Sequence, residues 1–383
     1  MQTRRGMQRR TLVSLSLVAL SLAACVVASD EVEGEGDPEL EGEAASGYEK
    51  VPADEAASTK TIVTNAVARL REATAKTPPP ARRDAHFKSQ GCVKAKFEVE
   101  ADVPADLRVG VLATKRSYDA WIRFSNGREL DDRKADVRGM AIKLVGVPGT
   151  KLAGAGLEPQ ASTQDFLLAS HPTFAVKNAK EFVEFQRIMA RDGDPKWFFL
   201  SPWRVREALN AKAATGKIFA SPLDAQFHSM VASLWGSKPV KLSARPCGGQ
   251  VLAKTAPDRP NFLGEALKAS LGKGDACFEF LIQSYRDPRA TPVEDPTVEW
   301  KEKDAPFRKV ATIRIPKQVF DSPAQLAHCE NLSFTPFHTL PVHRPLGGIS
   351  RVRREVYTAI ASFRRSTNGV DQKEPTDLSV PAR

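Results

Sequence analysis

The chain has 383 residues, 42% of them hydrophobic and 27% charged, with a formal charge of +10 and a pI of about 9.4. That is ordinary globular composition, enough for one large domain or two smaller ones. A basic balance suits an anionic ligand or an anionic surface, and without zinc-finger spacing, an RNP-type motif or basic runs interleaved with aromatics it does not point to nucleic acid.

The N-terminus reads as a targeting segment. "MQTRRGMQRR" is positively charged, and "TLVSLSLVALSLAAC" is apolar, closes on small residues and is short for a transmembrane helix. Leu22-Ala23-Ala24-Cys25 resembles a bacterial lipoprotein box, which assigns residues 1–25 to a signal peptide and a lipid to Cys25. Val26, not Asp, follows, a pattern similar to outer-membrane sorting. The expectation is an exported protein on the periplasmic side of the envelope, held to the outer membrane by a diacyl anchor. Residues 26–56 are acidic, Gly-rich and poor in large apolar side chains, which predicts a disordered tether.

Apolar residues at Ile62, Val63, Ala66, Val67 and Leu70 predict a helix over 57–73, stopped by "TPPP". Alternating or short apolar runs then predict strands at 93–100, 120–126, 137–145 and 164–170. Helical stretches follow at 179–192 and 203–214. Strands return at 238–246, 277–285, 297–301 and 309–316, and a last helix carries Tyr357. Eight strands in two groups of four, with helices between and after, predict an α+β fold: an antiparallel barrel decorated by helices. A barrel of this size is filled by side chains or holds a ligand against its wall. The domain spans 57–366, and 367–383 reads as a disordered tail.

Cys92, Cys247, Cys277 and Cys329 remain for the domain; an oxidising compartment permits disulfides, and three connectivities stay open. No CxxC pair suggests zinc. Of the six histidines, His86 stands at the entry to the first strand, three residues after Arg83. Arg123 and Ser125 share the second strand. His338 and His343, five apart in a Pro-broken loop, have poor metal geometry and suit loop hydrogen bonding; His171, His228 and His328 show no partner. In the last helix Arg353, Tyr357 and Arg364 are spaced by four and seven, on one face. Two cations aimed at one phenol favour its ionised form.

The order of these motifs resembles the haem catalase superfamily. Arg83-Asp84-Ala85-His86 before "KFEV" is similar to the family's distal Arg-x-x-His. Arg123-Phe124-Ser125 matches its Arg-Phe-Ser strand, and Arg138-Gly139-Met140-Ala141-Ile142-Lys143 its Arg-Gly-aromatic-Ala-x-Lys strand, with Met for the aromatic. "VKLSARP" is similar to a later Val-Lys-Tyr-Ser strand. Arg353, Tyr357 and Arg364 keep the proximal spacing, without the Asp-Thr of the large catalases, and "ENLSFTPFHTLPVHRPLGGISR" looks like the compact catalase-related peroxidase branch. The likeness covers roughly residues 60–365.

The resemblance implies a catalase-like eight-stranded barrel and haem b, with Tyr357 as axial ligand to the iron. Arg353 would bond the phenolate, and Arg83, Arg123 and Arg364 would clamp the propionates. His86 would be the distal acid–base group, oriented by Ser125, in a catalase- or peroxidase-type cycle through ferryl haem. Phe174 is a candidate for the distal pocket, with plain core packing the alternative. The family's distal Asn falls on Thr163, with Gln164 beside it. That departure shifts weight from catalase turnover towards peroxidase or organic-hydroperoxide chemistry with an unnamed electron donor. Two other readings are an isomerase of fatty-acid hydroperoxides, against which Ala85 speaks by replacing that group's Thr, and a non-catalytic haem-binding lipoprotein.

Overall fold

The computed structural model describes residues 47–77, 80–152, 158–193, 195–250 and 256–381. The signal peptide, Cys25 and most of the expected tether lie outside these residues.

The chain enters through α1 (Glu55–Lys76), whose stripe Ile62, Ala66 and Leu70 is buried at helical spacing. Four antiparallel strands follow in meander: β1 (Ser89–Val99), β2 (Ser117–Asn126), β3 (Arg138–Val145) and β4 (Thr163–Ala169). Helices α2 (Ala179–Asp192), α3 (Lys196–Phe199) and α4 (Val205–Thr215) come next. The second half holds β5 (Phe227–His228), β6 (Ser233–Trp235), β7 (Lys238–Pro246), α5 (Phe262–Lys273), β8 (Ala276–Ser284), β9 (Arg308–Ile315), α6 (Pro323–Asn331) and α7 (Gly348–Asn368).

The strands hydrogen-bond in the order β5-β4-β3-β2-β1-β9-β8-β7, and β5 also pairs with β7, so eight strands close into a barrel; β6 extends β7 outside the ring. Closure leaves no free edge among those eight. The interior is packed with rings. Phe97 meets Phe280 at 5.0 Å, Phe166 meets Phe280 at 5.2 Å, and Phe124 meets Phe227 at 6.0 Å. Side chains therefore fill the barrel, and any ligand must bind against its outer wall.

The number of barrel strands is as expected, but one member differs. Residues 297–301 form no strand: their start is folded into a turn, in which the Asp295 carboxylate accepts the Thr297 N–H (3.1 Å) and the Asp295 carbonyl accepts the Val298 N–H (3.2 Å). The eighth strand is β5, whose two residues are too short to show a period of two. Helices α5 and α6 were not expected from the sequence.

Both ends of the domain extend further than expected. Glu49, placed in the tether by composition, has its carboxylate buried against Arg344 (2.7 Å) and Arg351 (2.7 Å), and so fastens the start of α7. The segment after α7, expected to be disordered, is docked on the barrel. Its Glu374 carboxylate meets Lys143 Nζ at 2.6 Å, Trp121 Nε1 donates to the Asp377 carbonyl (3.4 Å), and Leu378 and Val380 pack beside Trp121. The physical reason is Lys143: its buried ammonium already faces Asp165 on β4 at 2.6 Å, and the tail brings a second carboxylate to it. The disulfides join Cys92 to Cys329 and Cys247 to Cys277, with Cα–Cα separations of 6.0 and 5.5 Å.

Candidate active site

A slot of about 200 Å³ lies between the outer wall of the barrel and one face of α7. Its barrel side presents His86, Ser125, Gly139 and the end of β4; its helix side presents Arg353, Tyr357 and Arg364. Helical spacing explains the second set, and β2–β3 pairing the first: Ser125 sits opposite Gly139.

His86 is held from several directions. Its N–H donates to the Gly127 carbonyl (2.7 Å), its carbonyl accepts from Arg123 Nη1 (2.8 Å), and its Nδ1 stands 3.1 Å from Ser125 Oγ. That leaves Nε2 as the nitrogen free to act. The residue has φ +57°, and the other non-glycine residue of positive φ among those described, Met230 (φ +59°), lines the same slot. Such backbone persists only where surrounding contacts over-determine it. Gly139 supplies the room: a Cβ there would lie 2.5 Å from His86 Nδ1 and 2.8 Å from Ser125 Oγ. Burial, and then the positive charge of Arg123, push the His86 pKa down to about 4, so the imidazole is neutral at ordinary pH.

Across the slot, Arg353 Nη2 donates to Tyr357 Oη at 3.4 Å, and the guanidinium lies over the phenol ring, 5.4 Å from its centroid. Arg83, Arg123 and Arg364 converge at one end on a carboxylate that sequence reasoning missed, Glu330. Arg83 Nη1 and Arg364 Nη2 reach its Oε1 at 2.7 and 2.8 Å, while Arg123 Nη2 stays 3.8 Å from Oε2. Arg123 is buried, and its Nε and Nη2 have no hydrogen-bond partner. Burial, then Arg83, holds its pKa well below the usual arginine value, and the same two causes lower Arg364 to about 10. Three cations around one carboxylate leave positive charge in excess, facing an apolar slot. Nothing in the sequence pairs Glu330 with residues 83 and 123; the Cys92–Cys329 bridge beside it does so in space.

The structure thus brings together His86, Ser125, Arg83, Arg123, Arg353, Tyr357 and Arg364. Two expected members lie elsewhere. Thr163 opens β4, and Ala169, which lines the slot, closes it; at strand rise they are about 20 Å apart. Thr163 Oγ1 instead donates to Glu374 Oε2 (2.9 Å) and lies within hydrogen-bond distance of His338 Nε2. The wall that β4 does offer is Leu167, Leu168 and Ala169, without an amide. Phe174 packs edge-on against Phe182 at 6.0 Å, in a cluster with Val176 and Ile188. The remaining histidines have structural partners: His343 Nε2 accepts the Val111 N–H (3.1 Å) under the Trp235 ring, and His171 neighbours Thr173.

An apolar slot between an imidazole and a phenol, with unsatisfied guanidinium N–H groups at its end, fits a flat molecule bearing carboxylates. The fold has solved counterparts. A fungal catalase is 18% identical, with a TM-score of 0.59 over 78% of this chain and 63% of that one. A bacterial catalase is 17% identical, with a TM-score of 0.57 over 77% and 59%. Catalase A from Saccharomyces cerevisiae is 18% identical, with a TM-score of 0.56 over 78% and 63%. The chain thus has a catalase-like fold and spans about three fifths of the length of the catalases it matches. No family model matches its sequence, and no curated protein matches it.

Proposed function

We propose that the protein binds haem b in the slot between barrel and α7 and uses it to reduce peroxides. The observation that carries this reading is the opposition of His86–Ser125 and Arg353–Tyr357 across one cavity, with a charge-excess arginine cluster at its end. Haem, when bound, supplies the iron that peroxide oxidises. Tyr357 Oη would hold the haem iron, and Arg353 donates to that oxygen. Three guanidiniums less the Glu330 carboxylate leave two positive charges, which match two propionates, and the unpartnered Nε and Nη2 of Arg123 are donors suited to them. His86, neutral above pH of about 4, takes a proton from one peroxide oxygen and returns it to the other, which makes water the leaving group. Ser125 sets the tautomer from the other side of the ring.

The substrate wall of Ala141, Leu167 and Ala169 is apolar and presents no side-chain amide to hold a second hydrogen peroxide. This favours peroxidase turnover of hydrogen peroxide or organic hydroperoxides, with an external electron donor, over dioxygen release. Ala85, in the lining beside His86, weighs against the hydroperoxide isomerase. The leader sequence alone supports export and a lipid on Cys25; mass spectrometry of the mature N-terminus tests that.

The test is the absorption spectrum of the purified protein, with haem added where needed. Stoichiometric binding with a phenolate-ligated ferric spectrum is expected, and Tyr357→Phe should abolish or grossly change it. A protein that takes up no haem, or whose spectrum ignores Tyr357→Phe, would remove the reading.

A further inference from the structure

Six of the eleven large apolar residues exposed among the described residues fall within one 22-residue stretch: Trp197, Leu200, Trp203, Val205, Leu209 and Ile218. Scattered exposed apolar side chains are normal; a concentration of this kind marks a contact surface. Trp203 is 77% exposed and Leu200 66%.

The patch is built and firmly held. Phe198 turns inward, fully buried, against Phe185 at 5.3 Å. Arg204 stacks on the Phe198 ring at 3.7 Å, donates to the Phe198 carbonyl (3.2 Å) and pairs with Glu184. These contacts fix the turn so that Trp197, Leu200 and Trp203 point outward. On α4, Val205, Leu209 and Lys212 share a face at spacings of four and seven, all exposed, while Glu207 is buried on the other side. Asn210 Nδ2 ties that inner side to the Thr297 carbonyl (2.8 Å).

Around the apolar residues, the exposed charges between 196 and 218 are cationic: Lys196, Lys212, Lys217 and Arg206, of which Arg206 is paired with Asp295 at 3.2 Å. The one carboxylate in the stretch is the buried Glu207. Tryptophan and leucine flanked by lysines is the chemistry of an anionic bilayer surface: the indoles settle at headgroup depth and the ammonium groups meet lipid phosphates. No described helix is long and apolar enough to cross a membrane, so this contact lies in the interfacial plane.

We infer that residues 197–218 form a membrane-contact face by which the folded domain itself rests on an anionic lipid surface. This contact is separate from any anchor at Cys25 and independent of haem. It orients the domain, with the two tryptophans in the interface.

The protein's own fluorescence tests this. Its other tryptophans, Trp121, Trp235 and Trp300, are buried, so Trp197 and Trp203 dominate any response to an outside quencher. Full-length protein carrying Cys25→Ala, which removes the lipidation site, is mixed with vesicles of phosphatidylglycerol and phosphatidylethanolamine with brominated acyl chains. A blue shift with strong quenching is expected, weaker at high salt. The exposed-site pair Leu200→Glu/Leu209→Glu keeps both reporters and should lower vesicle partitioning by about tenfold or more. The far-ultraviolet circular dichroism of that variant should match the parent. Tethering by the N-terminus alone would bring protein to vesicles without quenching these indoles, and that result overturns the inference. So would quenching unchanged in the double variant, or a blue shift that appears without vesicles as concentration rises, which would assign the face to a second copy of the chain.

Discussion

At the scale of single residues, the decisive feature is that His86 is kept neutral and held still. Its pKa of about 4, set by burial and Arg123, predicts an acid limb of kcat/KM near pH 4 instead of the 6.5 of a free imidazole. Rates measured from pH 3 to 8 should stay level down to about 5; a limb near 6.5 would mean that another group carries the proton. Replacing His86 with Ala should cost about 10²-fold or more in peroxide turnover while haem still binds. Gly139→Ala probes the same imidazole from behind. Its methyl would sit 2.5 Å from Nδ1, so the ring must move, and a loss of about 10²-fold in turnover with an unchanged haem stoichiometry is expected. Equal rates in Gly139→Ala and parent would show that the ring's position is not critical. His86 was legible from the sequence only through the likeness of Arg83-Asp84-Ala85-His86 to the family's distal motif; the physical requirement for glycine at 139 was not, since it arises only when β3 passes behind the ring.

At the scale of elements, the C-terminal segment behaves as a strap. It crosses β3 and β4 and delivers Glu374 to a lysine buried in the barrel wall. Lys143 Nζ then has two carboxylates at 2.6 Å, Asp165 and Glu374. Burial, opposed by Lys143, pushes the Asp165 carboxyl up, and the two carboxylates share the buried ammonium. Asp165 still compensates Lys143 when Glu374 is removed, so the cost is that of a lost charged hydrogen bond, about 1.5–3 kcal/mol, and not that of an uncompensated buried charge. Glu374→Ala, or a chain ending at Val370, should lose stability of that order in urea unfolding; a change under about 0.5 kcal/mol would mean that the segment is not docked in solution. Composition alone hid this strap, because a mostly polar run with two prolines looks solvated until a buried cation is known to await it. The misplacement of Thr163 has a related cause. Motif order located β4, but only its register against β3 tells which end meets the slot, and the pairing Gly139–Ala169 puts Thr163 at the far end.

At the scale of the whole molecule, a phenylalanine-filled barrel excludes ligand from its interior and makes its outer wall one half of the site. Several histidines are buried in neutral form around it. His228 is lowered to about 4, His338 and His343 to about 3, each mainly by burial. Between pH 6.5 and those values the unfolded chain binds protons that the folded chain refuses, so stability rises with pH through that window and is lost as pH falls through it. The thermal midpoint should therefore drop from about pH 6.5 to 4, with Asp165, whose raised pKa acts in the opposite sense, offsetting part of the effect of the histidines. A midpoint flat across the acid range would contradict the burial of these rings.

The sequence by itself determined the class of fold and most of its strands, because these rest on local periodicity, while the set His86, Ser125, Arg83 and Arg123 came from the order of motifs that resembles the haem catalase superfamily. Arg353, Tyr357 and Arg364 share a face by helical geometry alone. Tertiary structure decided what depends on distant segments meeting: the Cys92–Cys329 and Cys247–Cys277 pairing, Glu330 among the arginines, Glu374 against Lys143, and the two-residue strand that closes the barrel. It also decided which apolar residues stay outside. The run from Trp197 to Ile218 is no more apolar than the core it joins, and only packing shows that Phe198 turns in while Trp197 and Trp203 face out. The physical reason is common to all of these. Burial and charge compensation are settled between partners far apart in the chain, and one sequence window holds only one of them.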